Sequence, residues 1–214
     1  MSDEKDEGFV IKKYPFSETS LIIHWLTKNS GLISTIARGV FRQNSKFYGR
    51  IDLFYCANIE FKKSQKSDLY SLKEVDLIDA CFWIRENISA LHKASYAAIL
   101  IEKIIPKNTP IPHIFALFST FLNYLKNHSD SFAPVLWLET KLLIESGEFQ
   151  IPEKHRSGKM IDTINILIKS DSPESIVNLD LKELNQIAKV NLNSLALNEQ
   201  QQNLRRKALG DLFS

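Results

Sequence analysis

The sequence predicts an α+β protein in which a small five-stranded β-barrel is followed by an α-helical domain. Three observations lead to this prediction. Apolar and polar residues alternate up to Asp79, clusters of Pro, Asn, Gly and Ser interrupt that alternation, and after Asp79 the apolar residues recur every three or four positions. Alternation is the period of a half-buried strand, whereas a spacing of three and four is the period of one helix face. We therefore predict one domain over residues 1–79 and a second over residues 80–214.

The first residues predict an exposed tail. The segment "MSDEKDE" is polar and acidic and lacks the apolar stretch of a secretory signal. We expect residues 1–7 to form a flexible acidic tail ahead of the barrel.

Five segments after this tail are short and rich in β-branched and aromatic residues, which favours strands. They are "GFVIKKYPF", "SLIIHWLT", "GLISTIARGV", "RIDLFYCANIEF" and "DLYSLKEVDLI". Turn signals separate them at Pro15–Ser17, Asn29–Gly31, Asn44–Gly49 and Ser64–Ser67. The fourth segment alternates best, and one face of it carries Ile51, Leu53, Tyr55, Ala57, Ile59 and Phe61. Gly39 and Gly49 are positions where a strand can bend or bulge to close the barrel.

The helical part begins with a periodic stretch that Pro106 stops. A second helix is predicted from Ile114 to about Asn127, and a third from about Ala133 to Ser146, where Gly147 suits a left-handed cap. The segment "EFQIPEKHRSGKM" predicts a loop, and Ser172-Pro173 opens a turn or helix. A capping box of Asp180 and Glu183 precedes "LKELNQIAKV", and a last helix covers about residues 195–212. We expect the helices to bury Ile101, Ile105, Phe118, Phe121, Leu125, Leu138 and Leu142.

Charge is distributed unevenly along the chain. The formal net charge is +2, but residues 8–67 hold ten Lys and Arg against three Asp and Glu. Residues 68–214 hold sixteen against eighteen. A basic block joined to a near-neutral partner is typical of a domain that binds a polyanion. No apolar run is long enough to predict a membrane span, and the two cysteines, Cys56 and Cys81, are expected to be buried thiols.

The sequence lacks the motifs of common catalytic sites. It has no GxSxG, P-loop or GxGxxG pattern, and its five histidines are scattered without the spacing of metal ligands. Single carboxylates such as Glu102 and Glu139 suit salt bridges or caps. We therefore predict no enzyme, no cofactor and no metal site.

One stretch, "STIARGVFRQNSKFYGRIDLF", interleaves cations with aromatic residues. Arg38, Arg42, Lys46 and Arg50 occur with no acid before Asp52. Cations neutralise phosphates, and aromatic rings such as those of Phe41, Phe47 and Tyr48 offer faces on which bases stack. The predicted nucleic-acid-binding set is Arg38, Arg42, Lys46, Tyr48, Arg50, Lys28, Lys62 and Lys63, with Lys12 and Lys13 widening the positive field.

Plainer interpretations of the same residues stand beside this one. Phe41 and Phe47 can equally cap the barrel core, because aromatic residues beside strands are usually buried. Lys62 and Lys63 at a strand end can protect an exposed sheet edge.

The chain also resembles a known family. The stretch "FSETSLIIHWLTKNSGLISTIARGVFRQNSKFYGRIDLF" is similar to the N-terminal domain of RecO, the bacterial recombination mediator. Glu18-Thr19, Thr27, Gly31, the triplet Ala37-Arg38-Gly39, Ser45, Gly49, Ile51 and Phe54 occupy the positions of the family pattern. Further on, "ASYAAILIEKIIP" and "LETKLLIESGEFQIP" resemble two of the family's helices more loosely.

The resemblance implies an OB-fold followed by a helical domain. It implies binding of single- and double-stranded DNA, strand annealing, and contact with the single-stranded-DNA-binding protein and RecR, with RecA loaded as the indirect result. It implies a cytoplasmic, nucleoid-associated protein of recombinational repair. Many family members carry a four-cysteine zinc motif after the helix that Gly147 ends, but "SGEFQIPEKHRSGKM" has no cysteine, so zinc is not expected.

Two other functions stay open for the basic barrel. The basic barrel can belong to an RNA-binding or translation-associated module, or its charge can be the solvated face of an interaction scaffold.

Arg205, Arg206 and Lys207 form a run of cations on the last helix. We predict that they bind an acidic partner tail, although cations are also favoured at any helix end by the dipole.

Overall fold

In the computed structural model, which describes residues 3–64, 67–151, 153, 158–177 and 179–210, five strands close into a barrel. They are β1 (Glu4–Ser17), β2 (Ser20–Thr27), β3 (Gly31–Ala37), β4 (Cys56–Lys62) and β5 (Leu69–Asp79). The order around the barrel is β1-β2-β3-β5-β4. Every neighbouring pair is antiparallel except β3 and β5, which are parallel. The predicted closed barrel and the OB-fold are confirmed.

The chain divides into two compact units. The barrel unit contains residues 1–82 and 105–116, and the helical unit contains residues 83–104 and 117–214. The segment 105–116 therefore belongs with the barrel although a helix separates it from β5. The division into a nucleic-acid-binding domain over residues 1–79 and a helical domain over residues 80–214 stays a prediction.

Alternate residues of the strands fill the barrel. Trp25 is fully buried and donates its indole N–H to the hydroxyl of Thr35 at 2.8 Å, so these two polar groups are paired. The interior residues include Val10, Ile23, Trp25, Ile33, Ala57, Ile59, Phe61 and Leu72. The outward residues of β2 and β3 are also buried, among them Ile22, Leu26, Leu32 and Ile36. These two strands are thus covered on both faces.

The expectation of a flexible tail over residues 1–7 is wrong for the residues described. Residues 4–7 belong to β1 and pair with β4, from Glu4 opposite Phe61 to Glu7 opposite Asn58. The carboxylate of Asp6 is buried and accepts the backbone N–H groups of Asn29 and Ser30 at distances from 2.8 to 3.2 Å. The acids of this segment are therefore used to cap the β2–β3 turn and to pair with lysines.

The strand predicted to begin at Arg50 begins instead at Cys56. Phe54 has φ of 67°, outside the extended region, so the chain cannot run straight into β4. The apolar face was nevertheless correct, because Ile51, Tyr55, Ala57, Ile59 and Phe61 are all buried in the barrel core and Leu53 packs against it.

Two predicted turning points also differ. The first hairpin turns at residues 18–19, not at Pro15–Ser17, which lie within β1. Gly39 and Gly49 lie in the connection between β3 and β4 rather than within bending strands. The irregular registers occur elsewhere, in β1 between Val10 and Lys12 and between Pro15 and Ser17, and in the β4–β5 pair.

Segment 105–116 completes the barrel unit. The backbone N–H of Asn108 donates to the carbonyl of Leu32 at 2.8 Å, and Phe115 packs against Phe9 with ring centroids 5.2 Å apart. The Tyr70 hydroxyl donates to the side chain of Asn108 at 3.2 Å. Contacts from β1, β3 and β5 therefore hold this segment on the barrel.

The described part of the chain after the barrel contains eight helices. They are α1 (Trp83–Glu86), α2 (Ile88–Ile104), α3 (Pro112–Asn127), α4 (Ala133–Glu145), α5 (Gly158–Lys169), α6 (Glu174–Val177), α7 (Leu181–Leu195) and α8 (Glu199–Leu209). The seven residues expected to be buried are all buried, although Ile105 lies in the barrel unit. Helices α1 and α5 were not predicted.

The helix ends follow the predicted cap chemistry. Gly147 has φ of 72°, and the N–H groups of Gly147 and Glu148 donate to the carbonyls of Ile144 and Leu143 at 3.1 and 3.0 Å. The capping box of Asp180 and Glu183 is present. The last helix, predicted from about residue 195, begins instead at Glu199, because Ala196 is left-handed (φ 43°) and Asn198 caps the helix. Its predicted end near residue 212 lies outside the described residues.

Candidate nucleic-acid interface

The connection between β3 and β4, residues 38–55, is a chain of turns fixed on the barrel. Backbone N–H groups donate to carbonyls three residues earlier, from Arg42 to Gly39 at 3.2 Å through Arg50 to Phe47 at 3.1 Å. Val40 and Phe47 point into the barrel core and are 8% and 4% exposed. We call residues 38–50 the basic connection. Its polar side chains are displayed from an anchored backbone rather than from a loose loop.

Three cations of the basic connection face solvent without an ion-pair partner among the described residues. Arg38, Arg42 and Lys46 are exposed, and none of them forms an ion pair with another described residue. The Lys46 ammonium lies 5.5 Å from the ring centre of Phe47. Unpaired cations at one end of the barrel create the field that attracts a polyanion.

Aromatic residues of the connection divide between core and surface. Phe47 is buried, so its interpretation as a core cap is confirmed. Phe41 and Tyr48 are 59% and 81% exposed. Exposed rings beside unpaired cations are the combination on which single-stranded nucleic acids stack.

Arg50 is placed differently from the other arginines of this stretch. Its guanidinium donates to the carbonyl of Val75 at 2.9 Å and to the carboxylate of Asp76 at 3.3 Å. These contacts hold the end of the connection on β5, so part of the charge of Arg50 is already neutralised.

The remaining predicted cations are not brought to the basic connection. Lys28 lies at the other end of β3, which spans seven residues or about 20 Å. Lys28 pairs with Glu7 at 3.6 Å. Lys63 pairs with Glu4 at 2.8 Å, and this hydrogen bond raises the pKa of Lys63. Lys62 is exposed beside it. The structure thus separates the predicted set into two ends of the barrel.

Sequence reasoning missed two aromatic residues of the β1–β2 hairpin. Tyr14 and Phe16 are 41% and 58% exposed, although aromatic residues in strands are usually buried. The alternation of Lys12 and Tyr14 was the available signal for Tyr14, because it places the ring on the same face as a charged residue. Phe16 lies at a bulge, which alternation does not report. The hairpin strand is tied to the connection after β3 by an ion pair of Lys13 with Asp52 at 2.5 Å.

The three cations predicted to bind a partner do not form one surface. Arg205 is 4% exposed, and its guanidinium donates to both carboxylate oxygens of Glu139 at 2.6 and 2.8 Å and to the Ala188 carbonyl at 3.0 Å. Arg206 and Lys207 are exposed. Consecutive residues of a helix point in different directions, so a run of three cations cannot share one face.

Among the described residues, no three His, Cys, Asp or Glu side chains come together as a metal site. His155 and four other residues of the cysteine-free loop around it (152, 154, 156 and 157) lie outside the described residues. No described helix is both long enough and apolar enough to cross a bilayer.

Two family descriptions match this chain. Residues 1–81 match the family described as Recombination protein O N terminal, and residues 85–200 match the one described as Recombination protein O C terminal. The first match contains all five strands of the barrel, and the second runs from α1 into α8.

Individual relatives carry the same description. The chain is 26% identical over 147 residues to "DNA repair protein RecO" of Syntrophotalea carbinolica, a match covering 69% of this chain and 57% of the relative. It is 30% identical over 118 residues to the protein of that name from Syntrophus aciditrophicus, covering 55% and 46%. For Nitrosospira multiformis the identity is 29% over 144 residues, covering 67% and 58%. The chain spans about half the length of the curated relatives it matches.

Proposed function

Because this chain belongs to the RecO family, we propose that it acts in recombinational DNA repair as a mediator without catalytic chemistry. It binds single- and double-stranded DNA, anneals complementary strands, and helps to load RecA onto single strands coated by their binding protein. The observation that carries this proposal is the set of exposed, unpaired cations Arg38, Arg42 and Lys46 on the anchored basic connection.

Charge explains how such a surface speeds annealing. Two DNA strands repel each other through their phosphates, and cations that neutralise phosphates on both strands reduce that repulsion. The bases are then free to pair, and pairing needs no group that breaks or forms a covalent bond. Binding through phosphates carries no sequence information, so one surface serves any pair of complementary strands.

Partners and location belong to the same proposal. We propose contacts with the single-stranded-DNA-binding protein and with RecR, and an indirect effect on RecA, in the cytoplasm at the nucleoid. Arg206 and Lys207 are the members of the predicted partner site whose side chains are exposed for such a contact. To test this, both residues are changed to Glu and binding of an acidic partner tail is measured. We expect the variant to bind the tail more weakly than the parent.

The decisive experiment removes two cations from the basic connection. In the Arg42→Ala/Lys46→Ala variant, we expect weaker binding of single-stranded DNA and slower annealing together. The slope of log affinity against log salt should flatten by about 1.4, since each contact to a single strand contributes about 0.7. The melting temperature should hardly change, because exposed side chains contribute little to stability.

A matched control removes the same charge elsewhere. Lys126→Ala/Lys189→Ala changes two exposed lysines of α3 and α7 and should leave the salt slope near that of the parent. If the two double variants behave alike, net charge rather than the basic connection governs binding. An annealing assay with the coating protein present, and a parallel titration with RNA of the same sequence, separate the mediator from an RNA-binding module.

A further inference from the structure

The hairpin of β1 and β2 exposes large aromatic surface without an evident structural reason. Tyr14 and Phe16 are 41% and 58% exposed, whereas the neighbouring outward residues of β2 and β3, such as Ile22 and Ile36, are 9% and 4% exposed. The two rings are therefore exposed where the apolar residues of the neighbouring strands are buried. Large exposed apolar groups that are grouped rather than scattered mark interaction sites.

A β-bulge presents Phe16. Pro15 pairs with Leu21 and Ser17 pairs with Ser20, so two steps along β1 correspond to one step along β2 and Phe16 has no partner opposite. A bulge leaves its extra residue out of the ladder and re-aims the side chain, and bulges are common beside binding sites. Tyr14 stays in register opposite Ile22, and its ring meets the His24 ring edge-on at 5.6 Å. The Tyr14 ring is thus supported by His24, whereas the Phe16 side chain leaves the ladder at the bulge.

The hairpin lies next to the basic connection. Leu21 of β2 pairs with Pro15 on one side and with Ala37 on the other, and Ala37 is followed directly by Arg38. Neighbouring strands are about 4.8 Å apart, so the backbones at Pro15 and Ala37 are separated by about 10 Å. One strand of DNA lying across β2 can therefore reach the hairpin and the basic connection at once.

The cations near Tyr14 and Phe16 indicate which kind of ligand would bind there. Lys12 is exposed on the same strand, two residues before Tyr14, and Arg38, Arg42 and Lys46 follow β3 on the other side of β2. An apolar protein surface or a lipid chain would gain nothing from so many cations. A nucleic acid offers anionic phosphates and flat bases together, which matches both groups.

We propose that Tyr14 and Phe16 form a stacking platform for unpaired bases, so that the barrel prefers single strands to duplex. This inference rests on the proposed function, in which the basic connection holds the phosphates. In a duplex the bases are stacked on each other and their faces are hidden, so the platform contributes only when the strand is single. Charge then supplies general DNA affinity, and the hairpin supplies the preference for single strands.

The test uses the full chain and three DNA probes of equal length: a single strand, a single strand of abasic sites, and a duplex. Phe16→Ala and Tyr14→Ala should each lose about 5- to 150-fold in affinity for the normal single strand, the range expected for one stacked base. Binding of the abasic strand and of the duplex, and the salt slope, should match the parent. Phe16→Trp should retain the affinity, and Phe16→Leu, which keeps apolar area without a ring, should not.

The variants of the basic connection distinguish the two proposals. Arg42→Ala/Lys46→Ala should weaken binding of all three probes, because every probe carries phosphates. If that loss occurs but the hairpin variants, folded with the parent's melting temperature, bind all probes like the parent, the platform is wrong and the proposed function stands. Equal losses on all probes in the hairpin variants also overturn the platform. If neither set of variants changes binding, the proposed function itself is wrong.

Discussion

Arg205 shows how one side chain can hold a helical unit together. Its guanidinium and the Glu139 carboxylate form a buried bidentate pair, and the hydroxyl of Tyr96 donates to the same carboxylate at 2.6 Å. Burial, and then Glu139, holds the pKa of Tyr96 well above its usual range, so this hydroxyl keeps its proton and remains a donor. The network joins α2, α4 and α8, and the Glu139 carboxylate at its centre is fully buried.

Removing Arg205 should therefore be costly. We expect Arg205→Ala to lower the free energy of unfolding by about 3–5 kcal/mol, because it leaves a buried carboxylate without its counter-ion. Arg206→Ala, one residue further on the exposed side, should change it by less than about 0.5 kcal/mol. Urea titration measures both. A double Glu139→Ala/Arg205→Ala variant should cost less than the two single variants added, and strict additivity would argue against the pair.

The two thiols should be almost inert in the folded protein. Cys56 and Cys81 are buried thiols, as predicted. Burial, followed by the nearby carboxylate of Glu7, raises the pKa of Cys56 to about 12. At pH 8 only about one Cys56 side chain in ten thousand would be the reactive thiolate. We expect an aromatic disulfide reagent to react with neither thiol at an appreciable rate until denaturant is added; fast native reaction of either one contradicts the described burial.

At the scale of elements, the glycine that begins β3 fixes a close approach of two backbones. Gly31 has φ of 74°, and a Cβ there would lie 1.9 Å from the carbonyl oxygen of Thr109. Gly49 has φ of 69° with nothing within 4 Å of its Cβ position. The two positions share a left-handed backbone but differ in the space around them.

This pair gives a matched comparison. Gly49→Ala should cost about 1–2 kcal/mol, the strain of a left-handed residue with a side chain. Gly31→Ala should cost about 2–5 kcal/mol, since overpacking adds roughly 1–3 kcal/mol to the same strain. Thermal unfolding of the two variants measures the difference. Equal costs would mean that segment 105–116 moves away from β3 freely.

Sequence reasoning succeeded for elements whose pattern is local. The strands and the long helices follow from apolar spacing, and the caps at Gly147 and Asp180 follow from side chains that contact their own helix. The start of β4 was wrong because the left-handed Phe54 interrupts the path without interrupting the alternation. Alternation of apolar residues therefore predicts which residues are buried better than it predicts where a strand begins.

The candidate site was predictable only in part for a related reason. Arg38, Arg42 and Lys46 could be placed on the surface, because a charged residue without nearby acids is seldom buried. The burial of Arg205 depends on Glu139, which lies far earlier in the chain, and adjacent sequence does not reveal such a partner. Tyr14 and Phe16 were overlooked because strand aromatics usually enter the core.

At the scale of the whole molecule, helix α3 is divided between the two units. Phe115 packs on Phe9 of the barrel unit, and Phe118, one turn later, stacks with Phe121 at 6.1 Å in the helical unit. We expect Phe115→Ala to accelerate hydrogen exchange in β1 and Phe118→Ala to accelerate it in the helical unit. Each should cost on the order of 3 kcal/mol. Exchange that rises equally in both units for either variant would mean that they unfold as one.

The position of segment 105–116 has a consequence for how the chain is made. Residues 107 and 108 meet β3 at Leu32, yet the ribosome releases them only after the whole of α2 has been synthesised. The parallel pairing of β3 with β5 is itself a contact between distant parts of the chain, of the kind that forms slowly. A nascent barrel must therefore wait, with Leu32 and Phe9 still uncovered, while α2 is being synthesised. During that interval the growing polypeptide is a natural client for chaperones, and translation speed through codons 83–116 should influence how much of it reaches the native state.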